Sequence, residues 1–423
     1  MCTDARYRLL ITRAENTKKL CREEKGESEK GESSASNKLN LLMVQSMIKQ
    51  KRIFRINTQA VQVSGMSDEN ANVENANQEE KKEEKTETIA VPVGIKIGSQ
   101  HTVIVTDEGE FVAHTCIKEV ENPVTGEKEY VIGDEALELF GDEVNYMLRG
   151  GFPGTEEEAE LLKIYLTQLV REYDIPENSY VTYAVPAIES DVCINLVKKV
   201  IAQLPVGWIG KEMWNDSFLG ALALPEGMEM INRSFLVINL GSSTTEVVAV
   251  RRGGIVYSLV TGAISGDAVD RRIRNEIQNE TRGAVNIDLN TAREFKEKYA
   301  NLKNWEKVQE TVHLFEKGKY SFRVDECIIR PVNEYIEEVA DFVAMQFLPE
   351  LAERNFSVYK QILKKDFILI GGMAEIPGLA EKLEALLRDR LGVAVKIVTP
   401  ERPSTASARG AYTISKFRLE KKS

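Results

Sequence analysis

The sequence predicts an α/β fold in which two similar halves enclose a ligand-binding cleft. Two stretches, Val91–Val105 and Phe235–Val250, each read as a β-branched strand, a tight turn of small polar residues and a second strand. Helical stretches and buried strands alternate after each of them, as in α/β proteins. The chain of 423 residues is long enough for two domains of ordinary size. Deep in such a cleft, where strands end in turns, is the expected place for a ligand.

Composition and charge restrict the class of protein. Hydrophobic residues make up 43% of the chain and charged residues 29%, values typical of a soluble globular protein. The net charge of −11 argues against nonspecific nucleic-acid binding by the body of the protein. Five cysteines without metal-type spacing and three histidines argue against a Cys- or His-rich metal site. Without an apolar run of transmembrane length or a signal peptide, the sequence predicts a cytoplasmic protein with free thiols.

Residues 1–88 are predicted to be a disordered N-terminal extension outside the fold. The stretch 67–88 is rich in Glu, Asn and Lys and has no aromatic residue. Met66 is an alternative start, which would make the upstream residues a misassigned extension. The functional alternative is a short amphipathic helix within 39–55, with apolar residues at helical spacing and basic residues behind them, that contacts a membrane or an adaptor.

The turns of the two hairpins are the strongest indication of a binding site. Gly241-Ser242-Ser243-Thr244 forms one turn, and Gly98-Ser99 opens the other. Small side chains let backbone N–H groups approach an anion closely, and hydroxyls add donors. The two hairpins could therefore clamp a polyphosphate, or they are tight polar hairpins without a ligand. A third cluster, Gly371-Gly372, follows a buried strand and opens a helix, where a flat base could lie on exposed backbone.

The remaining elements follow in chain order from periodicity and turn residues. Strands are predicted at 109–115, 180–186 and 394–398, with a turn into a helix at 130–136. Helices are predicted at 156–173, 191–204, 265–277 and 379–391. The stretch 330–351 is predicted as a long helix that is broken by Pro349.

The three glycine motifs resemble, in the same order, the two phosphate motifs and the adenosine motif of the actin, heat-shock chaperone and sugar-kinase superfamily. Within it, the stretch Val91–Phe417 most resembles bacterial actin-like filament proteins of the MreB type, and among these the magnetosome filament actin. The resemblance implies an actin-like (ribonuclease H-like) fold with two similar halves, 89–225 and 226–423, around a nucleotide cleft. It also implies that 403–417 is a closing helix that returns to the first half. ATP, or alternatively GTP, is the implied cofactor, and the chain itself is the implied partner in a homopolymer.

The resemblance also assigns roles to individual residues. Asp191 lies at the family's water-polarising position, with Glu189 as the alternative. Glu246 stands where the family usually has an aspartate and is the residue that could partly hold a metal. Residues 216–224 resemble a small-residue helix that joins the halves. The residues implied in nucleotide binding are Lys96, Gly98, Ser99, Gln100, His101, Asn239, Gly241, Ser242, Ser243, Thr244, Gly266, Asp267, Lys296, Gly371, Gly372 and Met373.

The chain departs from the family pattern where the family places its metal-site aspartates. Lys96 and Asn239 occupy these two positions. Replacing Asp by Lys changes the local charge by about +2, and a cation there repels Mg²⁺. The ammonium group can instead lie against a phosphate as a substitute for the metal. In the adenosine-contacting helix, Lys296 matches the family, whereas Arg293 stands at the position of a glutamate.

Three functions remain consistent with these residues. The first is an actin-like cytoskeletal protein that binds ATP and forms filaments, with weak or absent hydrolysis. The second is a non-polymerising scaffold or adaptor with a degenerate nucleotide site. The third is a competent ATPase or kinase that uses Glu246 and Asp191.

Overall fold

The computed structural model describes residues 90–139, 144–186, 190–303, 309–314 and 318–421. The predicted N-terminal extension, the predicted helix within 39–55 and Glu189 lie outside the described residues. In the part of the chain that is described, no helix combines the length and the apolar character that crossing a membrane requires.

The first five-stranded sheet is built on the first predicted hairpin. Its strands are β1 (Val91–Ile97), β2 (His101–Thr106) and β3 (Gly109–His114), and after a small hairpin of β4 (Ile117–Glu121) and β5 (Lys128–Ile132) come β6 (Ser179–Val185) and β7 (Gly210–Asn215). The strand order is β3-β2-β1-β6-β7. The first three strands are antiparallel, whereas β1, β6 and β7 are parallel.

The second sheet repeats this arrangement. It contains β8 (Ser234–Leu240), β9 (Thr245–Arg251) and β10 (Gly254–Thr261), and after a separate hairpin of β11 (Gln309–Leu314) and β12 (Gly318–Arg323) come β13 (Phe367–Ile370) and β14 (Ile397–Val398). The order is β10-β9-β8-β13-β14, again with an antiparallel and a parallel part. The predicted α/β fold with two similar halves is therefore confirmed.

Helices cover both sheets. In chain order they are α1 (Gly133–Glu138), α2 (Glu156–Glu172), α3 (Asp191–Gln203), α4 (Asp216–Ala221), α5 (Gly266–Glu280), α6 (Leu289–Tyr299), α7 (Arg330–Asp341), α8 (Leu348–Arg354), α9 (Phe356–Ile362), α10 (Leu379–Leu391) and α11 (Ala406–Glu420). Helix α2 illustrates why such segments fold: Thr155 caps it by accepting a hydrogen bond from Glu158 N, and its apolar stripe is buried against the first sheet.

The predicted helix break at Pro349 is wrong. The chain stays helical from Arg330 to Arg354, and Pro349 lies in the first turn of α8. A proline is tolerated there because it follows Phe342–Phe347, a π-helical stretch in which the regular i→i−4 bonding is already interrupted. The sequence analysis also did not predict β7, whose residues 210–215 combine polar and aromatic side chains.

The last helix, α11, lies on β1 and β6 of the first sheet rather than on the second sheet, which precedes it in sequence. Ser415 Oγ donates to Val93 O at 2.7 Å and lies 2.8 Å from Thr182 Oγ1. Two glycines make the close approach possible. A Cβ atom on Gly94 would lie 2.1 Å from Ala408 O, and one on Gly410 would lie 1.8 Å from Leu219 O in α4. The backbones at these contacts therefore leave no room for a side chain.

Candidate functional site

A cavity of about 480 Å³ lies where the turns of the two hairpins meet. It brings together residues that are distant in sequence, because β1 and β8 hold equivalent positions in their sheets. The sequence-predicted residues that line it are Lys96, Gly98, Ser99, Gln100, His101, Asn239, Gly241, Ser242, Ser243, Thr244, Glu246, Lys296, Gly372 and Met373.

The two turns have the same backbone geometry. Gly98 N donates to His101 O at 3.1 Å, and Gly241 N donates to Thr244 O at 2.9 Å. A Cβ atom on either glycine would come within 3.0 Å of the acceptor, so both turns require glycine. The turns also contact each other, because Ser99 Oγ lies 2.7 Å from Ser243 Oγ. Gly151 N donates to the same Ser99 hydroxyl at 2.9 Å and brings a further loop to the cavity.

Three of the predicted residues contact the second hairpin but do not line the cavity: Gly266, Asp267 and Gly371. Gly266 N donates to Gly241 O at 3.1 Å, and Asp267 N donates to Ser242 O at 2.6 Å, so the start of α5 fixes the second turn. Gly371 has a φ of 97°, and a Cβ atom there would lie 2.4 Å from Leu240 O. These residues position the hairpin rather than facing the cavity.

Asp216, at the first position of α4, is a cavity residue that the sequence analysis missed. It is buried, and its Oδ2 accepts a hydrogen bond of 2.8 Å from Asn239 Nδ2. Glu246 is buried beside this region, and its Oε1 accepts from Asn215 Nδ2 at 3.1 Å and from Ser217 Oγ at 2.9 Å. One sequence signal could have indicated that Asp216 lies at the site: Asn215 and Asp216 stand at the start of a small-residue helix, where a preceding strand ends.

Arg293, which the sequence analysis named only as a departure from the family pattern, is a further cavity residue, and two carboxylates hold it in place. Its Nε lies 3.1 Å from Asp270 Oδ2, and its Nη2 lies 3.3 Å from Asp267 Oδ1. Burial lowers the pKa of Arg293, but the two carboxylates outweigh burial and keep this pKa above its ordinary value. Burial also raises the pKa of Asp267, although Arg293 opposes this shift. Lys296 Nζ lies 2.6 Å from Asp270 Oδ1.

The loop that precedes α11 forms another wall of the cavity, which the sequence analysis also missed. Lys96 Nζ donates to Ser404 O at 3.4 Å. Ser404 in turn donates from its N and its Oγ to Glu375 Oε1, at 3.0 Å and 2.7 Å. Arg402, which has a positive φ of 50°, lies 2.8 Å from Glu110 Oε2. Lys96 therefore faces a wall that links the two sheets.

Asp191 is exposed in the first turn of α3 and does not line the cavity. Ser190 caps this helix by accepting a hydrogen bond from Cys193 N. The water-polarising role of Asp191 stays a prediction, and Glu189 lies outside the described residues.

The side chains of the cavity fit a phosphate chain better than a directly coordinated metal ion. Among the described residues, no group of three or more His, Cys, Asp or Glu side chains is placed to hold a metal. However, Asp216 Oδ1 and Asn239 Oδ1 are buried acceptors for which the described residues provide no hydrogen-bond partner. Such orphaned oxygens fit the water shell of a hydrated Mg²⁺, which commonly keeps several waters and binds through one or two carboxylates. The role of Glu246 as a metal ligand stays a prediction.

Comparisons with known proteins agree with this fold. A family described as Salactin matches residues 90–419. Salactin of Halobacterium salinarum is 35% identical over 329 residues, which are 77% of this chain and 91% of that protein. The MamK double helical filament has a TM-score of 0.63 and 20% identity, over 77% of this chain and 99% of that one. MreB5 of Spiroplasma citri bound to ADP has a TM-score of 0.62 and 18% identity, over 78% and 98% of the two chains. The same protein bound to AMPPNP has a TM-score of 0.63 and 16% identity, over 79% and 98%.

These matches confirm the resemblance that the glycine motifs indicated. The solved structures establish an actin-like fold of the MreB and MamK type. The Salactin match extends over nearly all of the described chain, and the identity of its curated member is high enough to show common membership. The chain therefore belongs to the Salactin family.

Proposed function

We propose that this protein binds ATP in the cavity between its two sheets and assembles into homopolymeric filaments, with weak or absent hydrolysis. The observation that carries the proposal is the pair of equivalent Gly/Ser turns whose hydroxyls meet at Ser99 and Ser243. Backbone N–H groups and hydroxyls that converge from two sides fit the oxygens of a phosphate chain.

The relatives support both parts of the proposal. The structures of MreB5 were determined with ADP and with AMPPNP, and that of MamK as a double helical filament. An adenine base would lie beside Gly372 and Met373, which also line the cavity. GTP is the alternative nucleotide.

Lys96 has a distinct role in this proposal. Its ammonium group lines the cavity and donates a hydrogen bond of 3.4 Å to a carbonyl oxygen, which a phosphate oxygen could replace or share. If Mg²⁺ binds, Asp216 and Asn239 hold its waters, and the ion supplies neutralisation of phosphate charge. The protein residues position the phosphate chain and exclude water around it.

The test is sedimentation and electron microscopy of the full chain with ATP, ADP, AMPPNP or no nucleotide, with phosphate release followed in the same samples. We expect AMPPNP and ATP to produce filaments, and phosphate to appear slowly or not at all. Nucleotide binding without any sedimentation would favour the non-polymerising scaffold. Rapid phosphate release would favour the competent ATPase. An absence of nucleotide binding would refute the proposed site.

Asp216→Asn tests which carboxylate acts on the terminal phosphate. We expect it to lower any phosphate release by about tenfold or more, and to abolish the few-fold Mg²⁺ dependence of AMPPNP affinity, because it removes the one negative charge of the Asp216–Asn239 pair. Asp191→Asn is the matched control, with the same change at an exposed helix start. If Asp191→Asn has the larger effect, the water-polarising role belongs to Asp191 and not to Asp216.

A further inference from the structure

His101 occupies a position in the first turn that has no imidazole counterpart in the second turn. Its carbonyl accepts from Gly98 N as that of Thr244 accepts from Gly241 N. Both residues line the cavity. One turn thus presents a hydroxyl to the ligand space, and the other presents a group that can gain a charge near neutral pH.

Titratable groups on four neighbouring elements act on this imidazole: Lys96 on β1, His114 on β3, Asp134 on α1 and Arg293 on α6. Its ring centroid is 4.5 Å from that of His114, its cross-strand partner on β3. His114 Nδ1 lies 2.5 Å from Asp134 Oδ1 at the start of α1. Burial, and then the neighbouring His114, Arg293 and Lys96, lower the pKa of His101 to about 4, while Asp134 acts in the opposite direction. The imidazole is therefore neutral near pH 7 in the unliganded protein.

The charges that line the cavity balance one another. Four cationic side chains, Lys96, Arg293, Lys296 and Arg402, face four carboxylates, Asp216, Glu246, Glu297 and Glu375. Arg293, Lys296 and Arg402 also pair with carboxylates outside the cavity lining. Among the described residues, Lys96 has no carboxylate partner and instead donates to Ser404 O. A nucleoside triphosphate carries several negative charges, and the lining offers little free positive charge to meet them.

We propose that His101 takes up a proton from solvent when a nucleoside polyphosphate enters the cavity, and that the resulting imidazolium is a ligand of the phosphate chain. This inference rests on the proposed function and adds a coupling between nucleotide binding and pH. The repulsion from Lys96 and Arg293 that keeps the imidazole neutral is offset once phosphate oxygens lie between these groups.

The direction of the pH dependence follows from linkage. A bound polyanion raises the proton affinity of His101, so the bound state holds more protons than the unliganded state. Binding therefore strengthens as the pH falls from the bound-state pKa toward the unliganded value of about 4, by up to tenfold per pH unit. The extra affinity is lost as the pH rises through the bound-state pKa.

The experiment is isothermal titration of the full chain with AMPPNP in Mg²⁺-free buffers that differ in ionisation enthalpy, between about pH 6 and pH 8.5. The heats measure proton uptake directly. His101→Gln removes the titrating group, and the difference between wild type and variant cancels the titration of the nucleotide itself. His114→Gln is the control for the neighbouring imidazole, because His114 does not line the cavity and its removal keeps His101 in place while relieving one influence that lowers the pKa of His101.

We expect the wild type and His114→Gln to bind as much as one more proton per AMPPNP than His101→Gln does. His101→Gln should also bind AMPPNP more weakly at the acid end of the pH range. His101→Lys, which carries a permanent charge, should lose the extra pH dependence while keeping affinity at the alkaline end. Equal proton uptake by the wild type and His101→Gln overturns the inference and leaves the proposed function intact. Should His101→Gln not fold, His101→Lys serves as the reference, and equal proton uptake by the wild type and His101→Lys overturns the inference equally. No binding heat at any pH, either without Mg²⁺ or after Mg²⁺ is added, refutes the proposed function itself.

Discussion

Lys96→Ala should weaken AMPPNP binding in Mg²⁺-free buffer about one hundredfold. The variant removes the cation that faces the cavity without a carboxylate partner in the described chain. A loss of about 2.7 kcal/mol is within the range for truncating one partner of a desolvated, charge-assisted hydrogen bond. Affinity is measured by titration calorimetry. Lys211→Ala is a matched control, because Lys211 lies in the same sheet and also donates to a carbonyl, Ile201 O, at 3.3 Å, but does not line the cavity.

Lys96→Asp gives the reciprocal result. Placing the carboxylate of the wider family at this position should make AMPPNP affinity depend on Mg²⁺ by tenfold or more, whereas the wild type should respond only a few-fold. A steep Mg²⁺ dependence of the wild type, together with an unchanged affinity of Lys96→Ala, would show that Lys96 does not replace metal charge.

Gly410→Ala should destabilise the fold by about 3 kcal/mol, although alanine is the better helix former. At an exposed helical position this change stabilises by about 1 kcal/mol. Here the new Cβ atom would lie 1.8 Å from Leu219 O, and the obstacle is backbone rather than a side chain that could rotate away. The shift is measured as a lower Tm and a lower midpoint of urea unfolding.

The control for Gly410→Ala is Lys416→Ala, on the exposed face of the same helix. It should leave the Tm within about a degree or two of the wild type, since it removes no buried contact. A stabilised Gly410→Ala would mean that α11 and α4 can separate at little cost, contrary to the close contact described above.

Local chemistry explains which features could be predicted from the sequence. The hairpins at Gly98 and Gly241 were recognisable because their signals are local. Glycine and hydroxyl residues mark the turn, and β-branched residues mark the strands beside it. Asp216 could not be placed in the cavity in this way, because its position depends on the pairing of β7 with β6. The mixed polar and aromatic residues of β7 do not follow the alternating pattern that predicts a strand. The place of Arg293 in the cavity likewise depends on the packing of α6 against α5, where Arg293 pairs with Asp267 and Asp270. The continuation of the helix through Pro349 depends on the preceding π-helical stretch, which no proline rule anticipates.

The return of α11 to the first sheet has a consequence for the order in which the molecule forms. Ser415 bonds to Val93 across 322 positions of sequence, so β1 receives its cover only after the residues between them have left the ribosome. Until then the first half exposes a sheet face that includes Gly94, while the second half folds with local contacts of its own. Closing so long a loop is slow compared with forming hairpins. A product that is truncated before Arg402 therefore lacks both the last helix and the preceding loop, which forms one wall of the cavity.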